Sequence, residues 1–168
     1  VDRYYWNYKA ANSASNEWST SLLNKTNLNT NYLNNIGTTW SNLIEDATWK
    51  VSGHTTGGAT PSEMYTGEIT NATKTYGPSD GTSKIGLMYV SDYGFAASPS
   101  AWTLFGNSSD TTKSYCAATS TNWLYLGSFE WTISRRSDDS GTAFFVTGNG
   151  YVLADRVYNS FDARPSFN

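Results

Sequence analysis

The sequence predicts an α+β fold, and three observations lead to that prediction. An aromatic segment at residues 3–7 has the composition of a short first strand. Apolar side chains then recur at helical spacing between residues 19 and 47. From residue 84 onward, short apolar runs alternate with polar loops. Helices that precede a β-rich remainder predict two short helices on a small antiparallel sheet with long ordered loops, in one domain over residues 1–168.

Two short helices account for the apolar spacing between residues 19 and 47. The side chains that share the helical faces are Leu28, Tyr32, Leu33 and Ile36, and then Trp40, Leu43 and Ile44. Gly37 lies between the two groups, where the end of a helix favours a left-handed residue. A further helical turn is predicted at Pro61, with Thr60 as its N-cap.

The remaining apolar runs predict strands. The expected strands cover residues 49–51, 84–91, 123–126, 129–133, 143–147, 151–155 and 163–167. The continuous apolar run at 84–91, KIGLMYVS, predicts a central strand that is buried on both faces. Gly148-Asn149-Gly150 predicts the turn of a hairpin. Residues 70–84 are expected to form a loop, as are residues 97–122, with Trp102 and Phe105 as anchors of the longer one.

The composition narrows the class of partner. Charged residues make up 15% of the chain, against about 25% in an ordinary soluble protein, and the net charge is −3. The only adjacent basic pair, Arg135-Arg136, is followed closely by Asp138-Asp139, so we expect no nucleic acid partner. No apolar run approaches the roughly 18 residues that span a bilayer. We therefore expect no direct membrane insertion by this segment.

The sequence offers no group of residues that suggests catalysis. Cys116 and His54 are each the only residue of their type, so no intrachain disulfide is expected and a catalytic pair would need a coincidence in space. Neighbouring carboxylates such as Glu45-Asp46 do not face each other across a cleft of about 5 to 10 Å, as a glycosidase requires. We expect no enzyme and no cofactor. Calcium is a weaker alternative, with Asp138-Asp139-Ser140-Gly141 or Asp80-Gly81 as oxygen donors.

The C-terminal hairpin carries the predicted ligand-binding residues. Tyr151, Leu153 and Asp155 share one face of the predicted strand, and we expect them to point outward because Val152 and Ala154 are small enough for the core. The full predicted site comprises Arg135, Arg136, Asp138, Asp139, Tyr151, Leu153, Asp155, Arg156, Tyr158, Asn159 and Phe161. Tyr and Arg are enriched where interfaces bind most strongly. The alternative interpretation is an ordinary solvated surface.

The tryptophans and Arg164 receive structural roles. Trp40, Trp49, Trp123 and Trp131 lie among apolar neighbours and are predicted to be in the core. Stacking against a sugar is the alternative role, for Trp18 or Trp102 in loops. Arg164 is predicted to hold a carbonyl or carboxylate near the chain end.

Several motifs resemble a family of bacterial surface domains. They are RYYWN at the start, KIGLMYVSDYGFA at 84–96, WLY at 123–125, WTIS at 131–134, and the closing pattern F-V-x-x-x-G-x-V with A-R-P-S-F. The C-terminal part is similar to the C-type-lectin-like variable proteins of diversity-generating retroelements. Asp162-Ala163 departs from the family's usual Gly-Val before Arg-Pro. The resemblance implies a C-type-lectin-like fold in which loops and one face of the terminal hairpin vary while the scaffold stays fixed.

One compositional feature agrees with that implication. Adenine-directed mutation of AAY codons never produces Lys, Glu, Gln, Met or Trp, and these five residue types are absent between Ser134 and Ala163. The resemblance further implies an extracellular or cell-surface binding domain, anchored by a segment upstream of Val1, whose ligand we expect to be a protein or another cell-surface molecule. The alternatives are a structural or tip subunit of a pilus-like appendage and a carbohydrate-binding module.

Overall fold

The computed structural model describes residues 2–8, 15–55, 59–70, 80–97 and 121–167. Its strands are β1 (Arg3–Tyr5), β2 (Ala47–Trp49), β3 (Gly53–His54), β4 (Gly81–Ser83), β5 (Glu130–Arg136), β6 (Thr142–Val146), β7 (Val152–Arg156) and β8 (Ser160–Asp162). Its helices are a 3₁₀ turn (Trp18–Thr20), a π-helix (Leu23–Tyr32), α1 (Leu33–Ser41), α2 (Pro61–Thr70) and α3 (Val90–Phe95). The predictions that involve Trp102, Phe105 and Cys116 lie outside the described residues.

The main sheet is mixed, and β5 is its central strand. Adjacent strands of this sheet follow the order β1-β8-β5-β6-β7, and β3 also pairs with β5. The β5–β6, β6–β7 and β1–β8 pairs are antiparallel, whereas β3 and β8 run parallel to β5. The α+β class is therefore confirmed, and the wholly antiparallel sheet is wrong. Long connections bring β3 and β8 to β5, and only such connections allow parallel pairing.

The predicted hairpin is present as β6 and β7. Phe145 faces Leu153 across the ladder, and Gly150 N donates to Thr147 O at 2.9 Å to close the turn. Gly150 has a φ of 83°, a conformation that glycine adopts without steric cost. The turn chemistry was therefore sufficient to predict this part of the fold.

Both faces of the hairpin are covered, which the sequence did not indicate. Phe144 and Phe145 are neighbours on β6 and point to opposite faces of the sheet. Phe145 belongs to the main core with Trp6, Trp18, Leu23 and Trp131, whereas Phe144 belongs to a second core with Met64, Val90, Tyr93 and Val152. Leu153 packs against the main core and Ala154 against the second. The division of the predicted strand into an outward face and a core face is therefore wrong.

The predicted central strand at 84–91 is also wrong, although the segment is buried. It pairs only at single points, through the Gly86–Ser166 bridge and a 3.0 Å bond from Ile133 N to Met88 O. The amide of Asn29 takes the place of a neighbouring strand, because it accepts from Ile85 N at 2.8 Å and donates to Ile85 O at 2.9 Å. Backbone polar groups satisfied in this way need no ladder.

The helical predictions hold in part, because α1 ends at Ser41 and Leu43 and Ile44 of the second predicted helix lie beyond it. The first helical region runs from the π-helix into α1, and Gly37 interrupts α1 with φ 80° and ψ 164°. The predicted cap of α2 is confirmed, because Thr60 Oγ1 accepts from Glu63 N at 3.2 Å while Glu63 Oε2 accepts from Thr60 N at 2.8 Å. This reciprocal pair is a capping box. No helix among the described residues is both long and apolar enough to cross a membrane.

Other boundaries differ from prediction. Residues 123–126 form a turn rather than a strand, β4 lies inside the predicted 70–84 loop, and β2 ends where the strand at 49–51 was expected to begin. The last strand is Ser160–Asp162, not 163–167. Short apolar runs do not distinguish strands from packed irregular segments, because both bury side chains.

Of the four tryptophans that were predicted to be in the core, two are buried and two are exposed. Trp49 and Trp131 are buried, as predicted. Trp40 and Trp123 are exposed, with 66% and 78% of their surface accessible, so their assignment to the core is wrong. Trp18 is fully buried, which removes it as a sugar-stacking residue.

Candidate functional site

Arg135 is a structural residue rather than part of a surface. Its side chain is only 1% exposed. The guanidinium donates to Ser52 O at 3.2 Å, to Asn16 Oδ1 at 3.0 Å and to Glu17 Oε1 at 3.3 Å. Its inclusion in the binding site was wrong, because β5 is covered on both faces and alternation turns this side chain inward.

Asn16 completes the polar centre around Arg135. Its Nδ2 donates to the carbonyls of Arg136, Asp139 and Thr142 at 3.0, 2.8 and 2.8 Å. One buried amide therefore holds the backbone from the end of β5 to the start of β6. The loop between these strands has a fixed base, since its two flanking strand ends and the carbonyl of Asp139 within it are all bound to one side chain.

Aromatic packing withdraws other predicted site residues from the solvent. The Phe161 ring lies 4.4 Å from the Phe145 ring and 4.5 Å from the Trp131 ring, measured between centroids. Tyr158 is half-buried against the same main core, as is Leu153. The prediction that Leu153 points outward is therefore wrong, and the inclusion of Phe161 in an accessible site is wrong as well, because both side chains pack against the main core.

The predicted residues that share an accessible surface lie at one end of the sheet, where β5 and β7 end and β6 begins. We call this surface the charged end, and it consists of Arg136, Asp138, Asp139, Asp155 and Arg156. Asn159 adjoins it, because Asn159 N donates to Arg156 O at 2.9 Å. Tyr151 lies at the opposite end of β7, five residues from Arg156, a separation of about 16 Å along a strand. The structure therefore divides the predicted site in two.

Both arginines of this surface are paired with its aspartates. Arg136 binds Asp138 with two parallel bonds, Nε to Oδ1 at 2.8 Å and Nη2 to Oδ2 at 2.7 Å. Arg156 Nη1 lies 3.3 Å from both oxygens of Asp139. The hydrogen bonds from Arg136 hold the pKa of the Asp138 carboxyl below its usual range. A ligand must therefore replace existing pairs, which favours a partner that presents both signs of charge.

The proposed calcium donors already have other partners. Asp138 and Asp139 pair with arginines, and Asp139 Oδ1 also accepts from Gly141 N at 2.8 Å. Asp80 Oδ2 lies 2.8 Å from Lys50 Nζ, and Asp80 Oδ1 accepts a hydrogen bond from Val51 N at 2.8 Å. In the part of the chain that the structure describes, no three His, Cys, Asp or Glu side chains cluster as metal ligands.

Arg164 has the role that the sequence predicted. Its Nε donates to Glu130 Oε1 at 2.8 Å, and its Nη2 donates to Glu130 Oε2 at 3.1 Å and to Leu124 O at 2.9 Å. A planar guanidinium suits this paired geometry. The interaction fixes the C-terminal segment to the start of β5 and holds the 121–126 turn in place.

A second surface was missed from the sequence: an open cleft of about 570 Å³ that we call the aromatic cleft. Six of the side chains that line it are aromatic: Trp49, Tyr65, Tyr89, Phe95, Trp123 and Phe167. The lining is completed by Ile69, Leu87, Met88, Ser91, Asp92, Ala96, Leu124 and Ser166. Helices α2 and α3 form part of its wall. Phe167 also borders a neighbouring cleft of about 710 Å³ with Tyr32, Ile36, Trp40, Leu43 and Ile44.

A buried carboxyl group lies behind the wall of the aromatic cleft. Glu68 is 1% exposed on α2, and its Oε1 accepts from Ser134 Oγ and, at 3.4 Å, from Ser91 N. Its Oε2 has no hydrogen-bond partner among the described residues. Burial raises the pKa of Glu68 to about 7, because the hydrogen bonds from Ser134 and Ser91 only partly offset the loss of water.

One sequence signal for the cleft was present on α2. Met64 and Glu68 form one i, i+4 pair and are buried, while Tyr65 and Ile69 form a second pair that faces the cleft. Apolar side chains on two sides of one short helix, Met64 on one and Tyr65 with Ile69 on the other, indicate two contacts, and only one of them is with the protein core. The remaining lining comes from distant segments, so no local pattern could have brought it together.

Comparisons of this chain with protein-family models, curated proteins and solved structures found no match. The resemblance to variable surface proteins therefore stays a prediction, while the α+β class rests on the strands and helices themselves.

Proposed function

We propose that this chain is a non-enzymatic, extracellular ligand-binding domain of a cell-surface protein, with a C-type-lectin-like fold, that recognises its partner through the charged end. The observation that carries this proposal is the contrast between a fixed base and accessible side chains. Asn16 and Arg135 hold the base of the loop from below, whereas Arg156 is 51% exposed above it. A rigid scaffold that presents varied polar loops is typical of recognition surfaces.

The composition of the surface favours a protein or another cell-surface molecule as the partner. Arg136 and Arg156 offer planar donors, and Asp138, Asp139 and Asp155 offer acceptors. Arginine is enriched in protein interfaces, and complementary charge determines which partner is accepted. Each arginine is already paired with an aspartate of this chain. A partner that offers its own acidic and basic groups can exchange these ion pairs for new ones, which gives specificity and leaves no arginine without an opposite charge.

Variation of the charged end is the first test. We expect genes from closely related isolates to differ mainly at positions 136, 138, 139, 155, 156 and 159, and to keep the codons of Asn16, Arg135, Phe161 and Arg164. Variation spread evenly over surface positions, or concentrated in the core, would contradict a variable recognition face.

Binding is the second test. The domain is labelled and applied to arrays of extracellular proteins and of glycans, beside a variant in which Asp138, Asp139 and Arg156 are replaced by alanine. We expect at least one protein target that the wild type binds and the variant loses, with Tm unchanged. Binding only to glycans, or no difference from the variant, would contradict the proposal. Self-association that the variant abolishes would instead favour the appendage subunit.

A further inference from the structure

The aromatic cleft leaves large apolar side chains in water. Trp123 is 78% exposed, and Tyr65, Phe95 and Phe167 are also exposed. Soluble proteins rarely keep large apolar patches uncovered unless the patch binds something. A cleft of about 570 Å³ has the size that ordinary small-molecule sites have.

The charge of the cleft limits what can enter it. Among the described residues that line the cleft, Asp92 is the only one with a charged side chain, and none is Lys or Arg. Asp92 Oδ2 accepts from Tyr89 N at 3.0 Å, which holds the carboxylate at the wall while it remains exposed. Burial, followed by the charges of Glu68 and Asp92, raises the pKa of Tyr89. Asp92 also places a negative charge at the wall of the cleft, so an anionic ligand would be repelled.

We propose that the aromatic cleft binds an organic cation, namely a methylated or quaternary ammonium group carried on an apolar body. The faces of Trp and Tyr rings attract such cations, and ligands of this type are bound between aromatic side chains elsewhere. Asp92 supplies the opposite charge, and the aliphatic residues Ile69 and Leu124 contact the apolar body. The inference is independent of the charged end, because none of the residues of the charged end lines the aromatic cleft.

The neighbouring cleft provides an internal control. The described residues that line it are Tyr32, Ile36, Trp40, Leu43, Ile44 and Phe167, and this set includes an exposed tryptophan but no carboxylate. If exposed aromatic surface alone were sufficient, both clefts would bind the same compounds. The two clefts differ in the charge of Asp92. Substitution of Trp123 in the aromatic cleft and of Trp40 in the neighbouring cleft therefore compares a site that has the charge with one that lacks it.

Binding of choline and of its neutral isostere 3,3-dimethylbutan-1-ol tests the proposal. The two compounds have the same shape and differ in charge. Titration of each at millimolar concentration, followed by NMR shifts of the indole N–H groups, gives both affinities. We expect choline to bind at least about tenfold more tightly, with the shifts centred on Trp123, because a cation over aromatic rings contributes an amount of that order. Benzyltrimethylammonium, which adds an apolar body, is expected to bind more tightly than choline.

Variants then identify the groups responsible. Trp123→Ala and Asp92→Asn are each expected to weaken choline binding about five- to tenfold, and Asp92→Asn keeps an oxygen that can accept from Tyr89 N. Trp40→Ala is expected to change the affinity less than twofold. The triple alanine variant at Asp138, Asp139 and Arg156 is expected to bind choline normally, so failure of the charged end and failure of this proposal remain distinguishable.

Four results would overturn the proposal. The first is equal affinity for choline and its neutral isostere, and the second is an equal effect of Trp40→Ala and Trp123→Ala on choline binding. The third is no binding of either cation at 50 mM, about the concentration expected for the weakest specific contact. The fourth is saturation of the cleft by neutral sugars with no response to cations. The last result would instead make the cleft a carbohydrate site.

Discussion

The charged end and the aromatic cleft are two accessible surfaces built on opposite physical principles. At the charged end, Arg136 and Arg156 each pair with an aspartate, so the surface is stable in water without a partner. In the cleft, Trp123 and Tyr65 face water without such compensation. The first surface can vary in sequence because little else depends on it. The second is held by the core, since Trp49 and Leu87 line the cleft and also belong to the main core.

The largest expected effect concerns the base of the charged end. Arg135→Ala is expected to destabilise the fold by about 3 kcal/mol, because removal of a buried cation leaves Asn16 Oδ1 and Ser52 O without their donor. Urea denaturation monitored by tryptophan fluorescence measures this change. The matched control is Arg136→Ala, whose partner Asp138 is accessible to water, and its expected cost is below about 1 kcal/mol. Equal effects of the two substitutions would show that the base is not more rigid than the surface.

The next effect concerns the wall of the aromatic cleft and depends on pH. Because the pKa of Glu68 is raised from 4.5 to about 7, the folded state binds this proton more tightly than the unfolded state does. Stability from this group is therefore fully present below pH 4.5 and is lost as the pH rises through about 7. Glu68→Gln removes that loss, and the variant is expected to exceed the wild type by up to about 3 kcal/mol at pH 8.

Thermal unfolding of both proteins between pH 4 and pH 8 checks this expectation. Glu63→Gln is the control, because the hydrogen bond from Thr60 N holds the pKa of Glu63 below its ordinary value. Its contribution has the opposite sign: it is present above pH 4.5 and is lost as the pH falls. A pH profile of Glu68→Gln parallel to that of the wild type would contradict a buried titrating carboxyl.

A smaller effect tests how firmly the cleft is supported. In Gly86→Ala the new Cβ would lie 2.6 Å from ring atoms of Trp49, closer than packed atoms can approach. We expect a loss of about 1 to 3 kcal/mol from overpacking, together with a shift of the Trp49 indole in NMR spectra. Gly148→Ala is the control, since its Cβ would meet nothing nearer than 3.5 Å. A neutral Gly86→Ala would mean that Trp49 moves freely and that the cleft is not preformed.

The smallest effect is expected at the charged end itself. Replacement of Asp138, Asp139 and Arg156 by alanine is expected to change the unfolding free energy by about 0.5 kcal/mol or less, because exposed ion pairs contribute little. The measurement is the same urea titration. A large loss would show that this surface carries part of the stability and is not free to vary.

Local patterns were sufficient for features in which the relevant contacts are close in sequence. The Gly148-Asn149-Gly150 turn, the Thr60 cap of α2 and the break at Gly37 were all predicted, because each depends on backbone geometry within a few residues. The role of Arg164 was predicted from chemistry, since a planar guanidinium near a chain end needs acceptors. Such features follow from rules that act over one turn or one loop.

The sequence by itself therefore determined the α+β class, the hairpin, the N-cap of α2 and the presence of a polar C-terminal loop. Tertiary structure alone decided which faces are buried. Arg135 is buried and Arg136 is partly exposed although they are neighbours, and Trp131 is buried while Trp123 is not. Hydrophobicity identifies side chains that gain from burial, but it does not say whether the partner surface belongs to this chain. Arg135 and Phe161 are covered by this chain itself, because layers pack on both faces of the sheet. The aromatic cleft is formed by segments that are distant in sequence, and its aromatic side chains stay open to a partner.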